Sequence, residues 1–174
     1  MRGAQRNRAA SAFFHPMSLS PAAQRVQDAL ILRGTQLEVR ELPASTRTAA
    51  EAAQAVGCEL GQIVKSLVFR GGLTGQAVLV ETSGANRVSE VRLAELVGEP
   101  VHMASAEFVR HHTGFAIGGV PPLAHAQPLR TFIDLDLMSF QEVWAAGGTP
   151  QALFALTPQQ LVELTQGEVV EVKA

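Results

Sequence analysis

The sequence predicts an α+β fold: a single domain with a central mixed, largely antiparallel sheet flanked by helices. Three observations predict it. Two β-branched, apolar runs, residues 63–69 and 77–81, are separated by a glycine-rich turn and read as a hairpin in the middle of a sheet. Short helical patterns are interleaved with strands irregularly, without the regular βαβ rhythm of a doubly wound fold. The length, 174 residues, suits one core.

In chain order, Ser20-Pro21 reads as an N-cap with proline at the first helical position. Val26, Ala29, Leu30 and Leu32 then form an apolar face before Gly34 stops the helix. Residues 37–42 alternate as a half-buried strand and Pro43 closes it. Thr46 or Thr48 caps an alanine-rich helix that runs to Val56 and ends at Gly57. After the hairpin, residues 89–97 and a segment opened by Ser105 have helical spacing. Residues 131–135 and 152–156 read as strands, 140–144 are ambiguous, and 158–164 read as a terminal helix.

Composition narrows the functional classes. Apolar residues make up 47% of the chain, yet no apolar run approaches the roughly 20 residues of a membrane span, so no membrane role is expected. The single Cys58 cannot form an internal disulfide, which fits a reducing cytoplasm. A net charge of −2 argues against binding nucleic acid mainly by neutralising many phosphates. The one asymmetry is that Arg2, Arg6, Arg8 and Arg25 precede the first acidic residue, Asp28. A transit peptide, a nucleic-acid arm or a stretch upstream of a start at Met17 would all look like this. Residues 1–18 are taken as a flexible extension and 19–174 as the domain.

Lys65 is the most informative residue. On a strand it shares a face with Ile63 and Leu67, with Val64 and Ser66 opposite, so its ammonium interrupts a core segment. Such a charge either snorkels from an edge strand to water or meets an anionic partner in a cleft. The second feature is Gly118-Gly119-Val120-Pro121-Pro122. Paired glycines open backbone paths and expose amides to an anion or developing oxyanion, and the two prolines hold the loop rigid afterwards; a tight structural connection has the same composition. Other chemistry finds little support. His102, His111, His112 and His125 match no familiar metal spacing, Ser83 lacks a nucleophile elbow, and Cys58 has no catalytic context. The pairs Gly71-Gly72 and Gly147-Gly148 form no nucleotide fingerprint.

Residues 62–69 (QIVKSLVF), 85–88 (ANRV) and 113–122 (TGFAIGGVPP), in that order, resemble the YbaK/ProX-type aminoacyl-tRNA deacylases. Their relatives include the editing domain inserted in bacterial prolyl-tRNA synthetases. The similarity spans about residues 20–172 and continues loosely through 131–134 to Gly147-Gly148. The resemblance implies a mixed sheet flanked by helices, with no cofactor and no metal, that hydrolyses the ester between a wrong amino acid and the tRNA 3′ end. Lys65 falls on the family's essential lysine, which engages the terminal phosphate or ribose. Gly118 falls on the glycine whose amide faces the scissile carbonyl, and Gly119, Val120, Pro121 and Pro122 shape that loop. Thr48, Ser66 and Gly147 complete the implied substrate pocket. Ser66 stands where some relatives carry threonine, and Thr48 where some place an aromatic wall. Small amino acids such as alanine or cysteine on tRNA(Pro) are the implied substrates, with prolyl-tRNA synthetase a candidate partner and either a monomer or a dimer compatible.

Two rival classes make different predictions. A non-catalytic module would hold an aminoacyl or nucleotide ligand in the same cleft, without needing an oxyanion donor. A DNA binder using the basic N-terminus would show steep salt dependence that is lost on removing the residues before Met17.

Overall fold

The computed structural model describes residues 18–174. The arginines before Met17, with the extension inferred from them, lie outside the described residues. Arg25 lies inside: its guanidinium donates to the Gly114 carbonyl at 2.7 Å and stacks on Phe115, which ties the first helix to a distant loop.

Helix α1 (Pro21–Leu32) buries Ala23, Val26 and Leu30, while Leu32 lies outside that face, 87% exposed. Pro21 opens the helix as expected, but the Ser20 side chain does not cap it. Among the described residues the Ser20 hydroxyl is buried without a hydrogen-bond partner, and its backbone N–H donates to Glu41 instead. The strand expected over 37–42 pairs only at β1 (Arg40–Glu41). Helix α2 (Ala49–Val56) carries a complete capping box between Thr48 and Glu51 and ends at Gly57 in the left-handed conformation. Thr48, not Thr46, is therefore the cap; Thr46 is buried and its hydroxyl donates to the Pro150 carbonyl.

Strands β2 (Val64–Gly71) and β3 (Ala77–Ser83) form the expected antiparallel hairpin, with Lys65 opposite Thr82 and Ser66 opposite Glu81. Helix α3 (Glu90–Val97), strand β4 (Val101–Met103) and helix α4 (Ala106–Thr113) come next. The remaining elements are β5 (Arg130–Asp134), β6 (Val143–Ala146), β7 (Ala152–Leu156), α5 (Pro158–Thr165) and β8 (Glu168–Val170). The ambiguous 140–144 segment thus leads into a strand, and α5 is not the last element.

The five-stranded sheet has the order β4-β2-β3-β5-β8 and places the hairpin at its centre. Its β4–β2 and β2–β3 ladders are antiparallel, while β3–β5 and β5–β8 are parallel. A three-stranded antiparallel sheet, β1-β7-β6, meets it through a bridge between Ile63 and Trp144. One face of the large sheet packs Val64, Val68, Leu79 and Ile133 against α1, α5 and the small sheet. The other packs Phe69, Val80 and Phe132 against Leu93 of α3 and Val172. Side chains covered on both faces explain the unbroken apolar runs of the hairpin. Phe69, Phe132 and Phe154 are wholly buried, each contributing about 1.5–3 kcal/mol by leaving water.

One feature of the sheet positions the site. Strand β4 pairs only with Phe69, Arg70 and Gly71, with Ala104 N–H adding a bond to the Val68 carbonyl. Among the described residues, 64–67 therefore have a ladder partner on the β3 side alone, and the opposite side of β2 opens into a cleft. Among the described residues, no helix is long and apolar enough to cross a membrane.

Candidate active site

The cleft has a volume of about 500 Å³. Its floor is residues 63–67 of the β2 region; one wall is the start of α2 and the segment before it, and the other is Ile117, Gly118 and Val120. Lys65, Ser66, Thr48, Gly118 and Val120, distant in sequence, share this one cavity.

Lys65 is half-buried, and its ammonium donates a 2.6 Å hydrogen bond to the backbone carbonyl of Asn86. Lys65 thus lies where β2 is paired on the β3 side and open to the cleft on the other, and its Nζ is held by that carbonyl. Burial and then the nearby Arg87 charge hold the ammonium below the ordinary lysine range, against an opposing pull from Asp134. Ser66 points to the opposite face, where its hydroxyl donates to Glu81 at 2.8 Å. Glu81 is wholly buried and Ser66 is its one hydrogen-bond partner among the described residues, so desolvation pushes its carboxyl up to about 8.

The glycine loop starts from a firm anchor. Thr113 at the end of α4 is buried; its hydroxyl donates to the Val109 carbonyl at 2.7 Å and accepts from Phe115 N–H at 3.0 Å. Gly119 N–H then closes a turn on the Ala116 carbonyl. Gly118 has φ +90°, a conformation that favours glycine, and a Cβ there would lie 2.9 Å from Arg47 Cγ. Gly119 is required for a different reason: its Cβ would fall 2.8 Å from the Thr149 backbone, which cannot give way. Gly118 and Val120 line the cleft, whereas Gly119 and Pro121 pack behind it and Pro122 lines a separate groove. The Pro121 carbonyl accepts a 2.6 Å bond from His125 Nε2, which pins the loop from its far side.

Thr48 lines the cleft while its oxygen accepts from Glu51 N–H at 3.1 Å, so one residue both caps α2 and shapes the pocket. Gly147 is not among the lining residues. Its N–H bonds the Ala152 carbonyl and its Cα packs on Val39, while the neighbouring Ala146 reaches the cleft. His111 and His112 contact each other edge to face on α4, away from the cleft lining.

Sequence reasoning missed Arg47, Asn86 and Asp134. Arg47 lines the cleft beside Gly118 and is exposed, and among the described residues it forms no ion pair. Its position immediately before the Thr48 cap was the available signal. Asn86 lay inside a matching stretch but had no assigned task. Asp134 is buried and accepts from Thr82 Oγ1, Ser83 N–H and Asn86 Nδ2 at 3.1, 3.0 and 2.8 Å, contacts that depend on sheet register.

Chemically, the arrangement offers a fixed ammonium, a second cation and backbone at a glycine turn, around a cavity with small alanine and threonine side chains on one wall. Such a set has the chemistry to bind an anionic ligand and to face negative charge with N–H donors.

Comparison with known proteins identifies the family. A solved structure provisionally described as a trans-editing enzyme for prolyl tRNA synthetase superposes with a TM-score of 0.86 at 57% identity, covering 90% of this chain and 99% of that one. The uncharacterized protein YwhH of Bacillus subtilis (strain 168) is 33% identical over 76% of this chain and 83% of its own length. A protein of Enterococcus faecalis (strain ATCC 700802 / V583), provisionally described as Cys-tRNA(Pro)/Cys-tRNA(Cys) deacylase EbsC, is 26% identical over 72% of this chain and 76% of its own. The family described as aminoacyl-tRNA editing domain matches residues 43–164, which include Lys65 and the whole glycine loop, and the chain belongs to that family.

Proposed function

We propose that this protein is a trans-editing hydrolase that removes a small, wrongly attached amino acid, alanine or cysteine, from tRNA(Pro). The observation that carries the proposal is the convergence of Lys65 and Gly118 on one cleft. The Lys65 ammonium, with one N–H held by Asn86, keeps donors free for the terminal phosphate or ribose of the tRNA. That contact seats the ester against the Gly118 turn. Water attacks the ester carbonyl, the carbonyl π electrons move to oxygen, and the Gly118 amide stabilises the resulting oxyanion. Collapse breaks the bond to the ribose oxygen, which takes up a proton, and releases the free amino acid. In this reading the vicinal ribose hydroxyl orients or activates the water.

An aminoacyl ester is already reactive, so orientation and an oxyanion donor supply the acceleration without a side-chain nucleophile. Arg47 adds a second cation at the rim, suited to a phosphate. Prolyl-tRNA synthetase is the proposed partner, delivering the mischarged tRNA to a protein of net charge −2.

The test is release of labelled amino acid from tRNA(Pro) and tRNA(Ala) charged with alanine, cysteine, serine, threonine, 2-aminobutyrate or proline. Selective release of alanine or cysteine from tRNA(Pro) is expected. No release from any of these substrates by the folded protein would overturn the proposal.

A further inference from the structure

Lys65 does not hold its place alone. The carbonyl that receives its ammonium belongs to Asn86, in the loop after β3, and a loop carbonyl is only as well placed as the loop itself. The Asn86 side chain fixes that loop: its Nδ2 donates to Asp134 Oδ2 and Asp136 Oδ2, both at 2.8 Å, so both amide hydrogens are used. Asp134 in turn is locked by Thr82 Oγ1 and Ser83 N–H, and its Oδ1 accepts from Asp136 N–H at 3.0 Å. From the other side the chain's end pairs with the loop: Ala174 N–H donates to the Arg87 carbonyl, Ser89 N–H donates to the Val172 carbonyl, and Val88 bridges Lys173.

Building on the role proposed for Lys65, we propose that Asn86, clamped by Asp134 and Asp136, is a positioning residue that aims the Lys65 ammonium at the tRNA 3′ end. No group of the clamp needs to touch the substrate. Its work is to hold a carbonyl 2.6 Å from Nζ, so that the ammonium's remaining donors have a fixed direction. Asparagine suits the position because a primary amide offers two donors to two carboxyl groups. Alanine offers none, and aspartate would set three acidic groups together. Lys173 pairs at 2.9 Å with the same Asp136 oxygen from the exposed side, so it holds one of the two carboxylates of the clamp.

The experiment is single-turnover deacylation of the mischarged tRNA that the wild-type protein hydrolyses, by the full chain as wild type, Asn86→Ala, Asn86→Ser, Lys65→Ala and the double variant Lys65→Ala/Asn86→Ala. Circular dichroism and thermal melting identify the folded variants. Asn86→Ala is expected to lower the maximal rate by roughly 10–100-fold with little change in the half-saturating protein concentration, because misplacement by about 1 Å costs rate on that scale. The double variant should be no slower than Lys65→Ala, since both substitutions remove the same placed ammonium. Asn86→Ser carries the same test if the alanine variant does not fold.

A wild-type rate in a folded Asn86 variant, with Lys65→Ala inactive, would overturn the clamp and leave the role of Lys65 standing. Multiplicative losses in the double variant would also overturn it, by showing that Asn86 acts independently of Lys65. A fully active Lys65→Ala would overturn both.

Discussion

The Ser66 hydroxyl donates to Glu81 Oε2 at 2.8 Å, placing a wholly buried carboxyl directly behind a residue that lines the cleft. Glu81 is buried because β3 is flanked on both sides, by β2 and β5, and its side chain faces the core containing Val64, Leu79 and Ile133. Its second oxygen has no hydrogen-bond partner among the described residues. Desolvation therefore favours the protonated form in the folded state, raising its pKa from 4.5 to about 8.

That shift predicts a pH dependence of stability. Between pH 4.5 and about 8 the unfolded chain releases the Glu81 proton while the folded protein keeps it. The folded state binds more protons there, so this contribution to stability is fully present below pH 4.5 and is lost as pH rises through about 8. Glu81→Gln keeps the size and removes the titration. Its Tm relative to wild type should climb across this window and level off above it. A Tm difference that does not vary with pH would contradict the burial argument.

Adjacent glycines in the loop should behave differently when changed to alanine. Gly119→Ala drives a methyl into the Thr149 backbone and should destabilise the fold by about 2–3 kcal/mol. At Gly118 the opposing atom is on the flexible Arg47 side chain, and the positive φ alone costs about 1–2 kcal/mol. Gly118→Ala should therefore fold yet lose deacylation, as the methyl and the displaced Arg47 enter the cleft. Thermal melts of both variants, with the deacylation assay on Gly118→Ala, check the pair.

Arg47→Ala removes a rim cation that forms no ion pair among the described residues, so stability should change by less than about 0.5 kcal/mol. Affinity for aminoacyl-tRNA should drop by roughly 3–10-fold at low salt, and the dependence of log affinity on log salt should become shallower by about one contact. Titration of both proteins at several salt concentrations measures the two slopes.

Thr48 carries a structural duty alongside its place in the cleft. Breaking its capping box with Glu51 by Thr48→Ala should cost about 1 kcal/mol, and Thr48→Ser should restore most of it. Equal melting temperatures for wild type and Thr48→Ala would show that the cap carries no weight.

Legibility in the sequence depended on which interactions are local. The hairpin could be read because both faces of β2 and β3 are covered, leaving unbroken apolar runs. Helix α2 could be read because its cap and its terminating glycine are neighbours in sequence. Strand β8 was missed: it is three residues long, begins with Glu168, and exists only because Val169 finds Ile133 in a parallel ladder. The same limit applies at the site. Lys65 stood out as a charge in an apolar segment, but the carbonyl that holds it belongs to Asn86. Asn86 is fixed by Asp134, which reaches the loop only because β5 lies beside β3. Glu81 resembled an ordinary polar strand end, since nothing in its neighbours in sequence tells that the next strand covers it.

The most direct measurement is single-turnover release of labelled amino acid from mischarged tRNA(Pro) by Lys65→Ala beside wild type, with both shown to be folded by circular dichroism. The account predicts turnover by wild type and a loss of at least about 100-fold in Lys65→Ala, since a positioning charge in a partly desolvated cleft supplies several kcal/mol to the transition state. Release at the wild-type rate by a folded Lys65→Ala would contradict it.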